Sequence, residues 1–200
     1  MSNLKNNKLQ TKDLVTIGIF TAIYFVITIL VMILVAIAPV IWLLYPGILA
    51  VVCGVIYMLL TAKIEKTGPV FIMSTITGII YLVTGECTWV ILATYVVTGL
   101  IAEVIRSSFG YKSFKGNLFA YCVFSLGMIG SPLPLWLFHD SFIQSIIEMG
   151  MDPSYVEKIS TMVSGWSFIG MIIVTIICAI IGGFIGKSML KKHFQKAGIV

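Results

Sequence analysis

Six apolar runs separated by short polar breaks organise the chain. They fall at about residues 14–38, 46–62, 69–84, 88–105, 118–138 and 165–186. A helix needs about 20 apolar residues to cross a hydrocarbon core about 30 Å thick, so the pattern predicts six transmembrane helices. The second lies within Ile41 to Ala62, with Pro46-Gly47 breaking its start, which leaves PVIWLLYPG (39–47) as a connection. The third is short and carries Ser74, Thr75, Thr77 and Gly78, as suits a helix packed among other helices. Pro69 before it suits a first helical position.

A long connection, about 139–164, precedes the last run. In it SFIQSIIEM groups Phe142, Ile143, Ile146 and Ile147 on one helical face. Asp152-Pro153 is an N-cap and first-turn pair, after which Val156, Ile159 and Val163 recur at helical spacing. Two short helices lying over one end of the bundle are expected. A lid and simple interfacial packing are both open readings of them.

Composition agrees with the pattern. Hydrophobic residues make up 59% of the 200 and only 10% are charged, far fewer than in a soluble domain. The expected fold class is an all-α polytopic membrane protein, with residues 1–200 forming one integral membrane domain. The start MSNLKNNKLQTKD is not that of a secretory signal, and the run after it is too long for one, so the first segment is expected to remain as a span. Cys53, Cys122 and Cys178 fall inside apolar runs and Cys87 in a break; without CxxC or Cys/His spacing they read as small apolar fillers and no metal is expected.

Charge orients the chain. The net charge of +5 suits a membrane orientation signal better than nucleic-acid binding. With six spans, one side holds Lys5, Lys8, Lys12, Lys63, Lys66, Arg106, Lys112, Lys115, Lys187, Lys191, Lys192 and Lys196, and the other only Lys158. The positive-inside rule then predicts cytoplasmic termini. The 139–164 connection, PVIWLLYPG and TGECTW (84–89) become outer segments.

Candidate chemistry collects at that outer side. Trp42, Trp89, Trp136 and Trp166 all map there, with Tyr45, Tyr81, Tyr95, Phe138 and His139. An aromatic belt explains such residues at membrane interfaces, but the inner side has no tryptophan, and the bias favours an outward-facing aromatic pocket for some of them. Glu86 in TGECTW would add a directional polar group, or simply face solvent. His139-Asp140 reads as a hydrated loop pair or a ligand contact. Glu103 precedes Arg106 by three residues, the spacing of an intrahelical ion pair. GGFIGKS (182–188) imitates a phosphate-binding loop, but Ile181 stands where the pattern needs glycine, so it reads as a flexible, basic helix end. Gly18 and Ala22 form a small-xxx-small pair in the first span.

Six short spans, the small-residue pair, the structured outer connection and the opening KLQTKDLVTIGIFTAIYFVI together resemble the substrate-binding S component of an energy-coupling-factor (ECF) transporter, and within that class the MptD or Trep-Strep family. The resemblance covers essentially the whole chain. It implies a non-catalytic subunit of the bacterial cell membrane that captures a vitamin or other micronutrient from outside. Release inside would need a transmembrane T component and two cytoplasmic ATPases, which use the ATP; no cofactor belongs to this chain. By position, Gly18 and Ala22 match the family's docking pair, usually alanine at both sites. The family's pocket maps onto Trp42, Tyr45, Glu86, Trp89, Trp136 and His139, and Trp166 joins them as an outer aromatic. The rival expectations are a stand-alone permease, against which the scarcity of polar groups in the spans speaks, and an intramembrane enzyme using Ser131, His139 or Asp140, for which no oxyanion motif is present.

Overall fold

Capping and turn chemistry set the helix ends. The computed structural model describes residues 8–85 and 88–194, and no strand occurs among them. Helix α1 (Thr11–Met32) opens with Asp13 Oδ2 accepting the Gln10 backbone N–H at 2.8 Å, and continues as a 3-10 segment, Ile33–Ile37. Helix α2 (Pro39–Lys63) follows after one extended residue, Ala38. Helix α3 (Pro69–Thr84) runs between Gly68 and Gly85, whose φ values of 107° and 73° lie in the left-handed region that glycine enters without strain. Then come α4 (Trp89–Phe109) and α5 (Phe114–Ser125), the latter capped by Ser113 Oγ and extended by a 3-10 segment, Leu126–Gly130. Three short helices, α6 (Pro134–Leu137), α7 (His139–Glu148) and α8 (Pro153–Met162), precede α9 (Gly165–Met189), which closes in a π-helical turn, Leu190–Phe194.

Among the described residues, four helical stretches are long and apolar enough to cross a membrane: Thr11–Ile37, Pro39–Lys63, Trp89–Phe109 and Gly165–Lys192. The other two expected spans are shorter. Helix α3 has 16 residues, about 24 Å at the standard rise. The expected helix over 118–138 is not continuous: α5 gives way to the 3-10 turn, a bend and α6. Glycine explains the break, because a Cβ at Gly127 would lie 2.7 Å from Tyr95 Cδ1 and one at Gly130 would lie 2.6 Å from Ile91 Cα. The chain trades helical regularity for contact with α4, and Pro132 and Pro134 remove two further backbone donors.

The second span also differs from its expected bounds. Pro46 does not break the start of α2; it sits inside the helix, so 39–47 forms the first turns of α2 and not a connection. Pro46 costs the carbonyl of Trp42 its helical donor. Burial of Pro46 and Gly47 against α9 accompanies that loss, with the missing Gly47 Cβ only 3.3 Å from Val174 Cγ1.

The tightest crossing joins α2 to α9 through Gly54, Gly182 and Gly186, which stack backbone on backbone. GGFIGKS is therefore not a flexible end: its glycines are buried inside α9. At one end of the bundle, Arg106 is fully buried and holds three elements at once. It donates to Glu103 Oε1 at 3.0 Å, to Asn117 Oδ1 of α5 at 2.9 Å and to the Ile64 carbonyl after α2 at 3.2 Å. Glu103 Oε2 accepts the backbone N–H of Val70 at 3.0 Å, so a side chain of α4 caps the first turn of α3. Lys66 pairs with Asp13 and Lys112 with Glu65 at this same end. The opposite end is covered by α7 and α8.

Candidate functional site

The cap over that opposite end has its own core, Trp42, Leu135, Ile146, Val156 and Ile159. The amphipathic spacing expected for 139–164 thus forms two helices. Asp152 Oδ1 accepts the backbone N–H of Ser154 at 2.8 Å and of Tyr155 at 3.3 Å, starting α8 as expected. Bonds from the Ser154 side chain and from these two backbone N–H groups hold the Asp152 carboxyl below its ordinary value. Tyr155 donates its hydroxyl to the Val35 carbonyl at 2.8 Å, tying α8 to the end of α1, and burial pushes its phenol upward. His139 Nδ1 lies 3.0 Å from the Leu135 carbonyl, which can only accept; in the neutral ring, Nε2 then accepts from Ser160 Oγ at 3.0 Å. His139 therefore joins α7 to α8.

A cavity of about 380 Å³ lies beneath α7. The end of α1 contributes Met32 and Val35, α2 contributes Trp42 and Tyr45, and the α3–α4 turn contributes Gly85 and Thr88. Ser131 forms part of the floor. Phe142, Ser145, Ile146, Met149, Gly150 and Met151 close the roof. No charged side chain is among the described lining residues. Volume and lining fit one small molecule: pockets of roughly 300–1,000 Å³ with apolar walls and few polar groups are usual. Trp42 Nε1 donates to Ser131 Oγ at 3.3 Å, and the Trp42 and Phe142 rings pack tilted at 53° with centroids 6.2 Å apart. A second cavity, about 440 Å³, sits at the other end and is lined by Glu65, Lys112, Lys187 and Lys191 among others. It belongs to the cationic end of the bundle. No group of His, Cys, Asp and Glu suited to a metal occurs among the described residues.

A family model described as a hypothetical bacterial integral membrane protein (Trep_Strep) matches residues 11–196. The chain belongs to the Trep_Strep family. No curated protein and no solved structure matches it.

The Trep_Strep chain brings only part of the expected aromatic set together. Trp42 and Tyr45, three apart on α2, both reach the cavity, and Tyr45 donates to the Thr28 carbonyl at 2.9 Å. Glu86 lies outside the described residues, as does Cys87, but their neighbours Gly85 and Thr88 both line the cavity. Trp89 begins α4 and is 61% exposed, on a shallow apolar groove beside Phe138. Trp136 donates to the Ser164 carbonyl at 2.9 Å and packs on Phe168, fastening α6 to α9. Trp166 is 84% exposed on the first turn of α9. Tyr81 and Tyr95 are buried inside the bundle. The wall residues Met32, Thr88, Met149 and Met151 carried no signal of their own in the sequence. Phe142 and Ile146 did, through the apolar face of α7.

Gly18 and Ala22 lie on the exposed side of α1 in the Trep_Strep chain, one turn apart. A Cβ at Gly18 would meet nothing within 4 Å. The opposite side of α1, with Ile17, Phe20, Thr21 and Tyr24, faces the bundle.

Proposed function

We propose that this membrane protein is a substrate-capture subunit, the S component of an ECF-type importer, which binds a vitamin or other micronutrient from outside. The observation that carries the reading is the apolar cavity roofed by α7 and the turn after it, at the end of the bundle away from the lysine-rich end. The positive-inside rule assigns the lysine-rich end to the cytoplasm and the cavity to the outside. In this reading α3 and the segment from α5 to Gly130 complete six spans in the bacterial cell membrane. The roof is the lid, and Trp42 and Tyr45 of the wall contact the ligand. The chain itself performs no catalysis. A T component docks on the exposed Gly18–Ala22 face, and two cytoplasmic ATPases hydrolyse ATP.

The test is mass spectrometry of small molecules retained by the protein purified from cells, together with co-isolation of a T component. A tightly held micronutrient and a recovered T component are expected. Neither appearing would overturn the reading. Uptake into vesicles containing this chain alone would replace it with a stand-alone permease.

A further inference from the structure

The cavity holds two hydroxyls whose bonding is incomplete. Ser131 is 7% exposed, and its Oγ accepts from Trp42 Nε1. No acceptor for the Ser131 hydroxyl proton occurs among the described residues. Thr88 Oγ1 is buried and has no hydrogen-bond partner among the described residues. Both residues line the same cavity. A buried hydroxyl without a partner is costly, because it has left water and gained nothing in return. The indole N–H takes one of the two lone pairs of Ser131 Oγ, so the acceptor side of this hydroxyl is served while its single O–H donor is not. The unmet need of Ser131 is therefore an acceptor, which an occupant of the cavity can supply.

The rest of the wall says what that occupant is. Trp42, Tyr45 and Phe142 supply aromatic faces, and Met32, Met149 and Met151 supply polarizable thioethers that adapt to an irregular outline. An ion would leave water for a wall that, in its described part, offers no countercharge, which is strongly unfavourable. We infer that the cavity takes an uncharged, largely apolar ring molecule bearing a hydrogen-bond acceptor, such as a carbonyl oxygen or ring nitrogen, which receives the Ser131 hydroxyl proton and bonds Thr88. This deepens the capture reading and rests on it. It also separates the residues that orient the ligand, Ser131 and Thr88, from Trp42, which serves the acceptor side of Ser131.

Equilibrium dialysis against protein-loaded and empty nanodiscs tests the class, with the empty discs correcting for partition into lipid. Four probes share one bicyclic ring: 2-acetylnaphthalene, 2-ethylnaphthalene, 2-naphthoate and 2-(aminomethyl)naphthalene. Saturable binding of the acetyl probe is expected, with the ethyl probe about fivefold to tenfold weaker, the scale of one neutral hydrogen bond. Both ions should bind more weakly still. Ser131→Ala should shrink the acetyl-over-ethyl preference, while Ser141→Ala, outside the cavity lining and with its hydroxyl donating to the Phe138 carbonyl, should leave it alone. The inference is overturned if either ion binds as well as the acetyl probe, if Ser131→Ala leaves the preference unaltered, or if no probe binds specifically. A charged molecule retained from cells would likewise sink the neutral-ligand inference while leaving capture standing.

Discussion

The Cβ that Gly54 lacks would fall 2.2 Å from the carbonyl oxygen of Gly182. Helices α2 and α9 therefore touch through backbone atoms, and neither can yield by rotating a side chain. Gly54→Leu or Gly182→Leu must force the helices apart. The loss should reach or exceed the roughly 1–3 kcal/mol typical of overpacking. Thermal unfolding in detergent, with size-exclusion profiles, should show lower stability or aggregation. Gly18→Leu is the control, and its unfolding temperature should match that of the unmodified protein.

The Arg106 cluster predicts a different pattern. Glu103→Gln leaves a buried guanidinium without its carboxylate, a loss on the order of 3–5 kcal/mol. Arg106→Met should be comparably harmful, since it strands Glu103 and frees the Ile64 carbonyl. Made together, the two changes should cost less than their sum, because no unpaired charge remains. A double-mutant cycle on thermal stability reads that difference. Strict additivity would mean the two side chains act independently.

Hydrophobic period alone announced most of this fold, because burial in lipid and burial in protein both demand apolar faces. It was silent where backbone geometry decided. Pro46 reads as a break, yet α2 runs through it in a site packed against α9. Gly127 and Gly130 read as part of a span, yet they sharpen it into a 3-10 turn. The glycines of GGFIGKS make the α2–α9 crossing, whereas the small-xxx-small spacing in the sequence points to Gly18 and Ala22. The site was legible where a residue sat on a patterned helix, as Trp42, Phe142 and Ile146 do. The resemblance assigns Trp136 and His139 to the pocket; in the structure their polar atoms bond Ser164, Leu135 and Ser160, contacts between segments that no local pattern encodes.

Asp152 makes the stability of the cap depend on pH. Its folded-state value lies below the ordinary 3.8, so its contribution is complete above that value and disappears as pH falls through the lowered one. Between pH 8 and 5 the Asp152 cap should be constant; in stronger acid α8 should loosen. Hydrogen exchange of α8 amides, corrected for intrinsic rates, checks this. Asp152→Ala should produce the same loosening at neutral pH. There, trypsin offers a second readout, because Lys158 is the one tryptic site between Lys115 and Lys187. Faster cleavage at Lys158 in Asp152→Ala is expected, and unchanged cleavage would show that the cap core around Val156 and Ile159 holds α8 without its N-cap.

The exposed face of α1 can be separated from the cavity by substitution. Gly18 and Ala22 point away from the bundle, whereas Met32 and the Val35 segment at the far end of the same helix border the ligand space. Gly18→Leu and Ala22→Leu therefore add bulk only where a partner helix, or lipid, would lie. If a T component docks there, close approach of the two helices needs both positions small. Co-isolation of the T component should fall by about tenfold, equivalent to about 1.4 kcal/mol. Retention of the small molecule and thermal stability should be unaffected. Lipid alone would accept either leucine, so unchanged co-isolation would mean the face is lipid-exposed and the T component docks elsewhere. A parallel drop in ligand retention would instead mean that bulk at the start of α1 is transmitted along the helix to the cavity, and that α1 couples the two functions.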